Sequence, residues 1–259
     1  MSETSKTIRV EKDGNIVVIT IDRVSARNSF DLATAQQMEA ALDSLDQDDS
    51  AFVGIVSGAG GFFCAGQDLK AAARGEGALT ERRGGFGIMA KPSSKPLIAA
   101  VEGPALAGGF ELALSCDLIV AARNATFGLP EVRRSLVALG GGILRLPRRI
   151  PYHLAMEMIL LGDPVPAEAM KAHGVVNRIS EPGEALATAL ALARAMAANG
   201  PLALKASKEI AFRAQSEAWT EEHGWREQMR IAGPVLASED FKEGLAAFAE
   251  KRAPVWRGR

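Results

Sequence analysis

The sequence predicts an α/β domain that runs into a helical C-terminal region. Two observations carry this reading. Apolar or β-branched runs alternate with helical patterns from residue 8 to residue 121, the strand–helix–strand order of a layered α/β domain. After residue 140 helical spacing dominates, with one short strand, Val175 to Ile179, interrupting it.

The elements follow in order. Ile8 to Val10 and Ile16 to Ile21 are β-branched strands, and Asp13-Gly14-Asn15 between them is a hairpin turn. Asp31 is placed to cap a helix on which Leu32, Ala35, Met38, Leu42 and Leu45 repeat at helical spacing. Phe52 to Ser57 is an apolar strand closed by Gly58-Ala59-Gly60-Gly61. Residues 70–91, rich in Ala, Gly, Arg and Glu, read as a mobile helical loop. Pro96 to Val101 is a further strand, Gly108 to Ser115 a helix, Asp117 to Ala121 a strand, and Thr126-Phe127 a short one. Helices are expected over 140–149, 152–161, 167–173, 184–198, 201–215, 218–231 and 239–250, with breaks at Gly200-Pro201 and Gly233-Pro234. A soft boundary near 200 divides a core, 1–199, from a helical region, 200–259.

Composition excludes several functions. With 30 basic and 31 acidic residues the net charge is −1, so no global field draws nucleic acid or an anionic membrane. The scattered His153, His173 and His223 lack metal-ligand spacing, and no metal site is expected. Two cysteines, Cys64 and Cys116, fit reduced thiols in a cytoplasm better than a disulfide framework. The polar start, Met1 to Lys6, gives no signal peptide, and no apolar run is long enough to span a membrane.

Three segments carry chemistry. In Ala107-Gly108-Gly109-Phe110-Glu111-Leu112, glycines open a helix whose first N–H groups lack internal partners and favour an anion. Gly108 and Glu111, three apart, share a helix face, so an N–H and a carboxylate can address one substrate. In Phe63-Cys64-Ala65-Gly66-Gln67-Asp68-Leu69, small residues let the backbone present the N–H of Gln67, with Asp68 as a helix cap. In Phe127-Gly128-Leu129-Pro130-Glu131-Val132, a stiff, largely apolar setting can raise the pKa of Glu131. Taken singly, each is more often an ordinary helix start or turn. Arg133, Arg134, Arg145, Arg148 and Arg149 form a basic cluster that reads first as a solvated face, with phosphates or a subunit contact as alternatives.

The three segments in this order resemble the enoyl-CoA hydratase/isomerase, or crotonase, family. Ile19-Thr20-Ile21-Asp22-Arg23 with Asn28, Ala155-Met156-Glu157-Met158 with Leu161-Gly162, Ala172-His173-Gly174-Val175-Val176 and Ala247-Phe248-Ala249-Glu250-Lys251-Arg252 extend the resemblance over nearly the whole chain. It implies a crotonase-like spiral of ββα units with a C-terminal helical trimerisation region that covers the CoA site. Homotrimers, or hexamers built of two trimers, are the implied assemblies. The implied substrate is an acyl-CoA thioester, with no cofactor beyond its CoA moiety. By motif position Gln67 and Gly108 supply two oxyanion-hole N–H groups, and Glu111 and Glu131 match the two hydratase acids. Ser25, Ala26 and Arg27 match the turn that touches the CoA nucleotide, and Ala65, Asp68 and Leu69 flank its adenine. Pro130 and Leu139 join the substrate-binding set, and Lys251 is placed to reach a CoA phosphate from a neighbouring subunit.

The implied activity is enoyl-CoA hydration in fatty-acid or related acyl-CoA catabolism. Two departures stand out. Val24 follows Arg23 where the family usually has proline, and Ser135-Leu136-Val137-Ala138-Leu139-Gly140-Gly141-Gly142 puts Leu139 at a position that helps hold water in hydratases. The ending Phe248 to Trp256 and the run Leu144-Arg145-Leu146-Pro147 also resemble carnitinyl-CoA dehydratases. A carnitinyl-CoA dehydratase-like lyase, an enoyl-CoA isomerase and a non-catalytic acyl-CoA-binding protein therefore stay open beside the hydratase.

Overall fold

A computed structural model describes residues 6–259; residues 1–5, which carried most of the signal-peptide argument, lie outside the described residues. Strands β1 (Ile8–Asp13) and β2 (Ile16–Ile21) form the expected hairpin, with Gly14 at φ +58 in the turn. Helix α1 (Leu32–Gln47) follows, and the Asp31 carboxylate accepts the Thr34 N–H at 2.8 Å as its cap. Then come β3 (Val53–Gly58), α2 (Leu69–Ala72), β4 (Leu79–Thr80), β5 (Gly84–Gly85), β6 (Leu97–Val101), β7 (Pro104–Leu106), α3 (Gly108–Leu114), β8 (Leu118–Ala122) and β9 (Thr126–Gly128). The C-terminal half holds α4 (Gly142–Arg149), α5 (Tyr152–Leu161), β10 (Val165–Pro166), α6 (Ala167–Ala172), β11 (Arg178–Ser180), α7 (Ala185–Ala197), α8 (Pro201–Ser216), α9 (Glu221–Leu236) and α10 (Glu239–Glu250).

The main sheet has the order β1-β2-β3-β6-β8-β11, parallel throughout except for the opening hairpin. A second sheet has the order β10-β9-β7. The chain passes from β6 to β7 and then α3, and next from β8 to β9. Each pass visits both sheets, which is one turn of the ββα spiral.

Strand periodicity explains why the main sheet is buried on both faces. In β2, Val17, Ile19 and Ile21 enter one apolar cluster, while Ile16 and Val18 enter the other. In β6, Leu97, Ala99 and Val101 join the first, and Ile98 and Ala100 the second. The first cluster receives α1 and α3; the second receives α7 through Ala185, Ala189 and Ala193, with Trp256 packed against it. Cys64 and Cys116 are buried and unpaired, and burial pushes both thiols up to about 12.

Several expectations need correction. Residues 70–91 are not a helical loop. Helix α2 ends at Ala72, and β4 and β5 form a small antiparallel hairpin. Glycines 75, 77, 84, 85 and 87 disfavour a helix here. The segment is pinned as well: Arg83 is buried and paired with Asp43 and Asp46 on α1, and Phe86, Ile88 and Met89 are core residues. Gly233-Pro234 is not a break, because Pro234 lies in the last turn of α9, where it costs little more than one backbone hydrogen bond. The strand expected at Val175 to Ile179 is instead β11 at Arg178–Ser180, with Val175 and Val176 buried in the core before it. Among the described residues no helix is long and apolar enough to cross a membrane.

Candidate active site

The site begins with two loops that the second sheet brings side by side. Cys64 bridges Ala105 in parallel, and the N–H of Leu106 donates to Cys64 O at 3.1 Å. Glycines permit the close approach. A Cβ on Gly109 would lie 2.0 Å from Cys64 O, and one on Gly66, at φ +100, would lie 3.3 Å from the Gly108 nitrogen. The N–H groups of Gln67 and Gly108 therefore belong to adjoining backbone, and neither makes a hydrogen bond among the described residues. Ala107, which caps α3, sits at φ 53 and ψ −130, a conformation that costs an L-residue on the order of 1–3 kcal/mol.

The CoA turn expected at Ser25, Ala26 and Arg27 is tied to this place. It forms a 3-10 turn over Val24–Ala26, and Arg27 O accepts the N–H of Ala65 at 3.1 Å. Phe30 then pairs in parallel with Gln67, donating to Gly66 O and accepting from Asp68 N. Asn28 is buried and fixes the turn, donating to Ala59 O and Phe62 O. The Asp68 carboxylate caps α2 through Lys70 N and Ala71 N and pairs with Arg23 at 2.8 Å. Arg23 also pairs with Asp31 at 2.9 Å, so one guanidinium joins the caps of α1 and α2. Leu69 is exposed beside them.

Glu111, in the first turn of α3, is buried, and its Oε1 accepts the N–H of Gly142 at 2.8 Å. Burial raises its pKa, while the N–H groups of Gly142 and Gly140 and the charge of Arg145 restrain the rise. Glu131 lies on a 3-10 turn, Pro130–Arg134, with Pro130 at its first position. Its Oε2 is buried without a hydrogen-bond partner. Burial, reinforced by the charge of Glu111, pushes the Glu131 carboxyl up to about 7. Burial acts the same way on both acids, but Glu111 has N–H donors for its charged form and Glu131 Oε2 has none among the described residues, so the site supports the ionised form better at Glu111.

Leu139 is 85% exposed, and it directly precedes Gly140, whose backbone abuts the Glu111 carboxylate. Lys251 ends α10 and is exposed, open to a neighbouring subunit.

Three features escaped the sequence reading. Phe86, at φ 55, stacks on Phe30 at 4.3 Å and 2°, and its ring edge covers Gly108 so closely that a Cβ there would meet it at 2.6 Å. Gly142 serves Glu111. Arg145 turns inward while Arg133, Arg134 and Arg148 are exposed, as a solvated face requires, and desolvation of the Arg149 guanidinium lowers its pKa. A glycine triplet opening a helix was the available signal for Gly142; Phe86 had none. Among the described residues no group of three or more His, Cys, Asp or Glu is placed to hold a metal ion.

The chain and its fold have counterparts among known proteins. The family described as enoyl-CoA hydratase/isomerase matches residues 11–259. A solved structure of an enoyl-CoA hydratase from Mycobacterium tuberculosis H37Rv superposes with a TM-score of 0.95 at 52% identity, covering 98% of this chain and 99% of the other. The enoyl-CoA hydratase EchA19 of Mycobacterium tuberculosis is 39% identical over 99% of this chain and 98% of its own. The carnitinyl-CoA dehydratase of Salmonella typhi is 43% identical over 98% of this chain and 100% of its own. The chain belongs to the enoyl-CoA hydratase/isomerase family.

Proposed function

We propose that this chain is a hydro-lyase that adds water reversibly across the double bond of a 2-enoyl-CoA thioester. One observation carries the reading: the carboxylates of Glu111 and Glu131, both pushed upward by burial, lie in the same site region as two backbone N–H groups without partners among the described residues. In the proposed reaction the thioester oxygen accepts hydrogen bonds from Gln67 and Gly108. The Glu111 carboxylate takes a proton from water as its oxygen bonds to C3. The electron pair of the double bond passes to an enolate on the thioester oxygen. Glu131 then gives its proton to C2, and the balance is one water added. Each oxyanion donor is worth about 2.7–4 kcal/mol in such chemistry.

The CoA nucleotide is assigned to the turn at Ser25, Ala26 and Arg27 and to Ala65, Asp68 and Leu69. For Asp68 the backbone is the better ligand, since its carboxylate is engaged by Arg23 and the α2 cap. A role in acyl-CoA catabolism in the cytoplasm and self-association through the C-terminal helices complete the proposal. Exposed Trp225, Met229, Leu245 and Phe248 on α9 and α10 support the last point.

A second reading is a carnitinyl-CoA dehydratase-like lyase. It rests on the 43% identity to proteins of that name and on the divergent stretch around Leu139. One experiment separates the readings. Crotonyl-CoA, longer enoyl-CoAs and carnitinyl-CoA are offered, the conjugated thioester's absorbance is followed, and products are identified. Hydration of simple enoyl-CoAs supports the first reading. Turnover confined to carnitinyl-CoA supports the second, and turnover of none at high enzyme refutes both.

A further inference from the structure

Arg145 sits in α4, one turn beyond the glycine triplet, and its guanidinium is spent entirely inside the molecule. Nη1 donates to Ser115 Oγ at 3.2 Å and to Gly140 O at 3.1 Å, and Nη2 donates to Met89 O at 2.5 Å. Those acceptors lie on three separate pieces of chain, and each piece borders Glu111. Ser115 closes the helix that carries Glu111, and its hydroxyl donates to Glu111 O at 2.8 Å. Gly140 begins the run whose Gly142 N–H holds Glu111 Oε1. Met89 packs where a Cβ on Gly140 would meet its Sδ at 2.4 Å and Glu111 Oε2 at 2.5 Å.

Gly141 shows how tightly the fork is seated. It takes φ +99, and a Cβ there would come 2.4 Å from Arg145 Nη1. The guanidinium thus references the helix of the carboxylate to the loop that orients it.

We propose that Arg145 is a positioning residue that locks the Gly140–Gly142 backbone against α3 and so sets the orientation of the Glu111 carboxylate. Only a planar fork with several fixed donors can hold three acceptors in this way, so lysine is not equivalent. The ionisable neighbours of Glu111 and Arg145 are Glu131 on its 3-10 turn, Arg149 on α4 and Cys116 after α3. Arg145 is thus a source of positive charge acting on Glu111.

The test uses the full chain with R145K and R145Q. The kinetic readout rests on the hydration reading; a titration of the Glu111 side chain by carbon NMR, assigned with E111Q, does not. R145K keeps the charge and loses the fork. It is expected to leave the acid limb of kcat/KM in place and to lower kcat on the order of 10- to 100-fold, with KM within about twofold. R145Q is expected to lower kcat likewise and to raise the Glu111 titration by about 1 unit. A folded R145Q with wild-type kcat and an unmoved titration overturns the proposal. So does R145K with wild-type kcat, which serves alone if R145Q does not fold. Should the wild type hydrate no enoyl-CoA, the functional reading fails while the NMR titration still decides the role of Arg145.

Discussion

Glu131 and Glu111 are the same amino acid placed in two dielectric settings. Glu131 has its folded pKa raised to about 7 from 4.5. Its carboxyl therefore favours folding while protonated, and that contribution is lost as pH rises from the unfolded value through the folded one. E131Q removes the penalty. Its melting temperature is expected to exceed the wild type's at pH 8–9 and to match it at pH 4, with at most about 3 kcal/mol at stake. The same residue limits activity. Hydration needs Glu131 protonated and Glu111 ionised, and dehydration needs the reverse; both forms carry one proton, so kcat/KM in both directions is expected to fall above about pH 7. E111Q and E131Q should each lower kcat about 10²- to 10⁴-fold, read by the enoyl absorbance. The pair was legible in the sequence as two motif glutamates. The raised pKa of Glu131 was legible too, from its stiff apolar segment, whereas the support that Gly142 gives Glu111 was not, because it joins residues 31 positions apart.

The oxyanion pair depends on how whole elements lie together. The loop before α2 and the start of α3 touch through Gly66, Ala107 and Gly109, where the backbone spacing leaves no room for side chains. Gly66 also holds φ +100, which L-residues rarely adopt. G66A is expected to push the Gln67 and Gly108 N–H groups apart. The loss should appear in kcat, on the order of 10²-fold, more than in KM, and steady-state kinetics on crotonyl-CoA measures it. Both loops were readable as motifs, because glycine runs and a helix start leave a local trace. The lid over Gly108 was not. Residues 70–91 carry no strong periodicity of their own, and Arg83 draws them onto Asp43 and Asp46 of α1, some forty residues upstream.

At the scale of the molecule, the spiral core buries both faces of its main sheet, while α9 and α10 leave apolar side chains in solvent, Phe248 at 87% exposure among them. Sedimentation velocity is expected to show trimers or hexamers. Replacing Leu245 and Phe248 together by serine should shift the distribution toward monomer, and a monomeric wild type would remove the assembly from the reading. The sequence by itself determined the order of the longer strands and helices, though not the short strands β4, β5, β7 and β10, together with the caps at Asp31 and Asp68, the family, and the four residues proposed to carry the chemistry. These leave local marks: periodicity, glycine placement and short motifs. Only the tertiary structure decided that Arg145 faces inward, that Phe86 covers Gly108, and that the Gly142 N–H holds the Glu111 carboxylate. Each of those depends on which distant segment comes to lie against the residue, and periodicity and short motifs do not encode it.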